Sequence, residues 1–191
     1  ATVEFGGSRT QPAGFTRSNV VTTLSFATAF TQAPDGRLFV AEQGGALRVV
    51  KNGALLATPM LTVASIEQNG ERGLIGVTVH PGFATNGWVY VYHTTTVNGI
   101  HNRITRYTAT GDTAGSPVVI ADLPALSGAT NHNGGATHFG NDGKLYVAVG
   151  DNADGAKAPN LADPFGKMLR FNDDGSIPGD NPICTTAGTQ I

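Results

Sequence analysis

The sequence predicts an all-β fold built from repeated units, and three observations support this prediction. Short runs of β-branched and aromatic residues recur along the 191-residue chain, as is typical of strands. The chain contains 26 glycines and 10 prolines, which indicates many tight turns. Turn glycines Gly36, Gly87 and Gly143 are spaced by 51 and 56 residues. A period of about fifty residues with several strands per unit is typical of a β-propeller blade.

The alternative fold is an all-β sandwich whose hairpins are similar by accident. We favour the propeller because turn, strand and following strand recur in the same order in each unit. Three units do not close a ring, since propellers close with typically about four to eight blades. The chain is therefore expected to supply about three blades of a longer propeller. The missing C-terminal half would follow in the same protein or come from a second chain.

In chain order, residues 1–14 are polar and predict an N-terminal arm, and residues 15–191 predict the partial propeller. Val20, Val21 and Leu24 predict one or two strands between Phe15 and Phe26. The repeats are expected at roughly 26–60, 70–122 and 131–182. Their predicted strands are Arg37–Glu42, Ala46–Val50, Leu74–Val79, Trp88–Tyr92, Arg103–Tyr107, Ala136–Phe139, Lys144–Val149 and Gly166–Phe171.

Composition excludes several classes of function. Charged residues make up 14% of the chain and the net charge is −2, so a basic surface for nucleic acid is not expected. No apolar run approaches the roughly 20 residues that a membrane span requires. The chain begins at Ala1 without an initiator methionine, which fits a processed exported protein and also a trimmed chain; we expect a secreted or periplasmic location. The lone Cys184 leaves its pairing open.

The hairpin around Asn141-Asp142-Gly143 predicts a functional site at its open end. His132 precedes the first strand of this hairpin and Asp151 follows the second, so both lie at the same edge of the sheet. An imidazole whose other nitrogen is held by a carboxylate is suited to act as a general base. The plain alternatives are a loop histidine hydrogen-bonded in a turn and an aspartate that ends a strand.

Five segments in order resemble the glucose/sorbosone dehydrogenase family, whose members are soluble six-bladed β-propellers that use pyrroloquinoline quinone (PQQ) to oxidise aldose sugars. The segments are APDGRLFVAEQGG at 33–45, GERGLIGVTVHPGF at 70–83, NHNGG at 131–135, FGNDGKLYVAVGD at 139–151 and GKMLRFNDDGSIPGDNP at 166–182. The resemblance covers nearly the whole chain from about Phe15. It implies blades one to three of six in a PQQ-dependent aldose dehydrogenase.

The resemblance also implies roles for single residues. His132 matches the family's catalytic base, which takes the proton of the anomeric hydroxyl as hydride passes to the quinone, and Asp151 matches its supporting carboxylate. Glu71 falls where a neutral glutamine touches the cofactor. A carboxylate beside an anionic quinone tricarboxylate is unfavourable unless neutralised, and Arg72 is expected to neutralise it. Asn131 is assigned with Glu71 and Arg72 to the cofactor site.

The resemblance places the calcium ligands and the remaining cofactor-binding basic residues beyond Ile191, so no metal ligand is assigned within this chain. The electron acceptor stays open. Two other functions stay open as well: a non-catalytic propeller that binds a protein or glycan, as animal relatives do, and an inactive fragment of the enzyme. Of the other histidines, we expect His93 and His101 to be solvated.

Overall fold

The computed structural model describes residues 12–181, which form three antiparallel sheets. The first sheet contains β1 (Ala27–Gln32), β2 (Leu38–Glu42), β3 (Ala46–Lys51), β4 (Ala54–Leu55) and β5 (Leu61–Thr62). The second contains β6 (Leu74–Val79), β7 (Trp88–Thr95), β8 (His101–Thr110) and β9 (Thr113–Ala125), with the short helix α1 (Phe83–Asn86) between β6 and β7. The third contains β10 (Gly134–Phe139), β11 (Leu145–Val149) and β12 (Lys167–Phe171).

The three sheets stand side by side with their first strands adjacent. Strand β6 contacts β1 on one side and β10 on the other. Within each sheet the later strands follow in sequence order, apart from β4 and β5, which both pair with β3. This is the arrangement of neighbouring propeller blades, in which the first strand of each blade lies nearest the axis.

Glycines allow the first strands of the second and third sheets to approach closely. A Cβ atom on Gly76 would overlap the carbonyl oxygen of Gly135. A Cβ on Gly135 would in turn lie 2.8 Å from the carbonyl oxygen of Ile75. These positions therefore require glycine, because the two backbones leave no space for a side chain.

Two hydrophobic clusters hold the sheets together, and strand β7 contributes to both. Val89 and Val91 belong to the cluster between the first and second sheets. Tyr90 and Tyr92 belong to the cluster between the second and third sheets. Because both faces of β7 are buried, its first five residues, WVYVY, form a continuous apolar run and not an alternating one.

The prediction of one or two strands between Phe15 and Phe26 was wrong. The segment from Phe15 to Phe26 contains no strand, and the first strand begins at Ala27. The side chains of Phe15 and Val20 are exposed, so their apolar character marks no buried face. Strand β9 was missed because its glycine and prolines indicate a loop. It is the last strand of its sheet, where a proline N–H is not needed for pairing.

His93 and His101 are buried, contrary to the prediction that they are solvated. The reason is that β7 extends to Thr95 and β8 begins at His101, so both rings lie within the sheet. Residues 1–11 of the expected N-terminal arm, and Cys184, lie outside the described residues. Helix α1, with four residues, is the only helix within residues 12–181, so no helix there could cross a membrane.

Candidate active site

His132 and Asp151 form a hydrogen-bonded pair at the open end of the β10–β11 hairpin. Gly134 of β10 pairs with Val149 of β11, which brings the residues just outside the two strands together. His132 Nδ1 lies 2.8 Å from Asp151 Oδ1. The imidazole is 55% exposed and the carboxylate 24% exposed. With Nδ1 engaged by the carboxylate, the exposed ring can offer Nε2 to a ligand.

The backbone of His132 adopts a left-handed conformation with φ of 58°. Such a conformation costs a non-glycine residue about 1–3 kcal/mol, so the surrounding contacts must hold it. Its N–H donates to Glu71 Oε2 at 2.7 Å. Its carbonyl oxygen accepts from the N–H of Asn152 at 3.1 Å. Both polar groups of this peptide backbone are therefore bound to other parts of the site.

Asn152 fixes the loop that leads into His132. The residue is 2% exposed, and its side-chain amide both accepts and donates hydrogen bonds. Oδ1 accepts from the N–H of Ser127 at 2.7 Å, and Nδ2 donates to the carbonyl oxygen of Ala129 at 2.9 Å. A buried amide with donor and acceptor both paired stabilises one loop conformation.

Asn133 fixes the backbone on the other side of His132. Its carbonyl oxygen accepts from the buried hydroxyl of Tyr92 at 2.8 Å, and its Nδ2 donates to the carbonyl oxygen of Thr130 at 3.0 Å. Sequence reasoning missed Asn133 and Asn152 as site residues. The available signal was an amide directly beside each of the two predicted catalytic residues.

Gly150 makes room for this arrangement. A Cβ atom at this position would overlap the carbonyl oxygen of His132 and lie 3.2 Å from the N of Asn133. The obstacle is backbone and not the end of a flexible side chain, so a substituted residue would displace His132.

Asp151 is held in its ionised form. The hydrogen bond from His132 lowers the pKa of the Asp151 carboxyl, and the N–H of Ala153, which donates to Oδ1 at 3.0 Å, acts in the same direction. An ionised carboxylate on Nδ1 favours the tautomer that carries the proton there and leaves the Nε2 lone pair free. This is the arrangement that a general base needs.

Residues 24–191 match the model of the family described as Glucose / Sorbosone dehydrogenase. The chain belongs to this family. Aldose sugar dehydrogenase YliI of Escherichia coli is 30% identical over 170 residues, which are 86% of this chain and 45% of that protein. Mouse Hedgehog-interacting protein is 32% identical over 173 residues, 76% of this chain and 25% of that protein. The chain thus spans less than half the length of these relatives.

Solved structures confirm the predicted fold class. A putative oxidoreductase (glucose dehydrogenase) from Thermus thermophilus superposes with a TM-score of 0.83 at 31% identity, covering 90% of this chain and 52% of that one. The PQQ-bound aldose sugar dehydrogenase from Streptomyces coelicolor gives 0.78 at 27% identity, with 91% and 52% covered. The chain is therefore about three blades of a six-bladed, all-β propeller.

The three residues assigned to the cofactor differ in their exposure and in their hydrogen-bond partners. Glu71 lies at the site through its bond to His132. Asn131 is exposed beside His132, and its carbonyl oxygen lies 3.5 Å from Asn152 Nδ2. Arg72 is buried, and its guanidinium donates to the carbonyl oxygens of Ser127 and Ala129. The three cofactor roles stay predictions.

The described residues fit one part of a PQQ site. The paired imidazole fits a proton-accepting group, and the two nearby carboxylates, Glu71 and Asp151, repel an anionic ligand. Of the residues assigned to the cofactor only Arg72 is cationic, and its charge is directed at loop carbonyls. Within residues 12–181 no group of three or more His, Cys, Asp or Glu side chains could hold a metal ion.

Proposed function

We propose that the protein containing this chain is a PQQ-dependent dehydrogenase that oxidises an aldose sugar at its anomeric carbon, with His132 as general base. The observation that carries this proposal is the 2.8 Å pair between His132 Nδ1 and Asp151 Oδ1 at the rim of a propeller of this family. The names of the relatives support the reaction class, and the exposed ring supports the role of His132.

In this reaction His132 Nε2 accepts the proton of the sugar's anomeric hydroxyl. Asp151 keeps the other ring proton on Nδ1 beforehand and stabilises the imidazolium afterwards. PQQ, when bound, supplies the quinone that accepts hydride from the anomeric carbon. Loss of the proton and the hydride converts the anomeric C–O bond into a carbonyl group, so the product is a lactone.

Other parts of the site belong to the remainder of the protein in this proposal. These are the cations that bind the PQQ carboxylates, the calcium ligands and the contacts that select the sugar. The C-terminal half of the propeller is the partner that would supply them. We place the protein in the periplasm or outside the cell, and the chemical class of its electron acceptor stays open.

The test is reconstitution of the full-length protein with PQQ and calcium, followed by dye reduction with a panel of aldoses. We expect turnover with at least one aldose. The variant His132→Ala should lose about 10²–10⁴-fold in kcat, the usual contribution of a general base. Unchanged turnover in this variant would show that His132 is not the base.

His138 provides a matched control. It is an exposed histidine in β10, near the end of the strand that is farther from His132. The variant His138→Ala should therefore retain full dye reduction. An equal loss in both variants would indicate damage to β10 and not loss of a base.

A second function is a non-catalytic propeller that binds a protein or glycan. Two observations favour it: the similarity to Hedgehog-interacting protein, and a carboxylate at position 71 where a neutral contact to the cofactor is expected. Titration with PQQ separates the two functions. A binding module should leave the quinone absorbance unchanged at every protein concentration.

A further inference from the structure

We propose that Glu71 is a positioning residue that holds His132 in its reactive geometry and does not contact the cofactor. This inference rests on the proposed function, because it concerns the geometry of His132 as the general base. It assigns to Glu71 a role different from the one that its place in the sequence implies.

Glu71 is bound to the segment before β10 at two points. Its N–H donates to the carbonyl oxygen of Thr130 at 3.0 Å. Its Oε2 accepts from the N–H of His132 at 2.7 Å. Glu71 thus pairs with an acceptor at Thr130 and a donor at His132, two positions apart, as a residue of a neighbouring strand would. These bonds extend the contact between β6 and β10 beyond the ends of the two strands.

The loop that carries Glu71 is itself fixed. Gln43 Nε2 donates to the carbonyl oxygens of Gly70 and Arg72, at 2.7 and 2.8 Å, on either side of Glu71. Arg72 is held by the carbonyl oxygens of the loop that leads to Thr130. The carboxylate therefore reaches His132 from a rigid support.

The bond matters because the backbone of His132 is in a sparsely populated conformation. A left-handed residue relaxes easily unless its neighbours hold it. A carboxylate that accepts a backbone N–H forms a charge-assisted hydrogen bond, which is stronger than a neutral one. If the peptide of His132 relaxed, Nδ1 would leave Asp151 and the orientation of the ring would be lost.

A direct contact between Glu71 and PQQ is disfavoured by charge. Both the side chain and the carboxylates of the cofactor are anionic, and like charges repel. Arg72 does not neutralise Glu71, because its guanidinium is directed at Ser127 and Ala129. The role of Glu71 in holding His132 needs no such neutralisation.

The test compares three variants of the full-length protein: Glu71→Ala, Glu71→Gln and Glu67→Ala. Gln keeps an acceptor oxygen for the N–H of His132, whereas Ala removes it. Glu67 is the matched control, because it lies in the same loop and its Oε1 accepts a backbone N–H, that of Asn69, at 3.0 Å.

The first readout is NMR of the His132 amide without cofactor or sugar. We expect its downfield proton resonance to move upfield in Glu71→Ala and to stay near its original position in Glu71→Gln and Glu67→Ala. An unmoved resonance in Glu71→Ala overturns the proposal. This readout holds even if no aldose is oxidised, so failure of the proposed function is seen separately in the dye assay.

The second readout is kinetics of the PQQ-loaded protein. Glu71→Ala should lower kcat at least about tenfold, as expected for loss of a hydrogen bond to a charged group, with KM and the Kd for PQQ unchanged within about twofold. Glu71→Gln should recover most of this loss. A rise in the Kd for PQQ without a fall in kcat, or a Gln variant as slow as the Ala variant, overturns the proposal.

Discussion

His93 should make the folded protein less stable below neutral pH. The ring is 3% exposed on β7, and its Nε2 lies 2.9 Å from the hydroxyl of Thr105. Burial lowers the pKa of His93 from 6.5 to about 4, and the neighbouring charges of Arg103 and His101 act in the same direction, while Asp122 opposes them. The folded protein therefore holds this ring neutral where an unfolded chain would protonate it.

The sign and size of the effect follow from linkage. As pH falls below 6.5 the unfolded chain binds a proton at His93, while the folded protein does not until about pH 4. The free energy of unfolding therefore decreases as the pH is lowered. Between pH 7 and pH 5 the contribution of this one group is about 2 kcal/mol. The ring is almost fully buried, so solvent screening does not reduce this figure much.

The assay is urea unfolding of the full-length protein at pH 7 and at pH 5, with the variant His93→Gln as the comparison. Gln keeps a polar group near Thr105 but does not titrate. The original protein should lose about 2 kcal/mol more than the variant over this interval. Equal losses in the two proteins, or an NMR titration of His93 centred near 6.5, would refute the reasoning.

Two further predictions concern the active site. Gly150→Ala should displace the carbonyl of His132 and abolish most dye reduction, and an NMR spectrum showing the His132 amide unmoved would contradict this. Asp151→Asn should lower kcat by at least about tenfold with little change in KM, because a neutral amide neither fixes the proton on Nδ1 nor stabilises the imidazolium. A variant as fast as the original protein would show that the carboxylate is not needed.

The strands that the sequence predicted well are those whose turn and apolar pattern are both local. Leu74–Val79 was predicted at its observed bounds, and Trp88–Tyr92 forms the first part of β7. β1 was missed because its inner-strand sequence, ATAFTQ, carries small and polar residues and no run of large apolar ones. Its place is decided by packing against β6, which no local pattern reports.

The active site shows the same division between near and distant contacts. The contact of His132 with Asp151 joins residues 19 apart across one hairpin, so the turn chemistry of that hairpin predicts it. The contact with Glu71 joins residues 61 apart, in the segments that precede strands of two different sheets. Tyr92 reaches Asn133 over 41 residues. Contacts of this second kind depend on how the sheets pack and could not be predicted from the sequence.

These distant contacts also indicate which parts of the proposed active site each half of the propeller contributes. Every described bond that holds His132 comes from this chain: from Asp151 across the hairpin, from Glu71 beside β6 and from Asn152 after β11. The first three blades therefore already hold the proposed base in one geometry. Among residues 12–181, Arg72 is the one cation assigned to the cofactor, and its guanidinium is bound to loop carbonyls. In the proposed function the first half of the ring therefore supplies the proton acceptor, and we expect the second half to supply the charge that binds the cofactor.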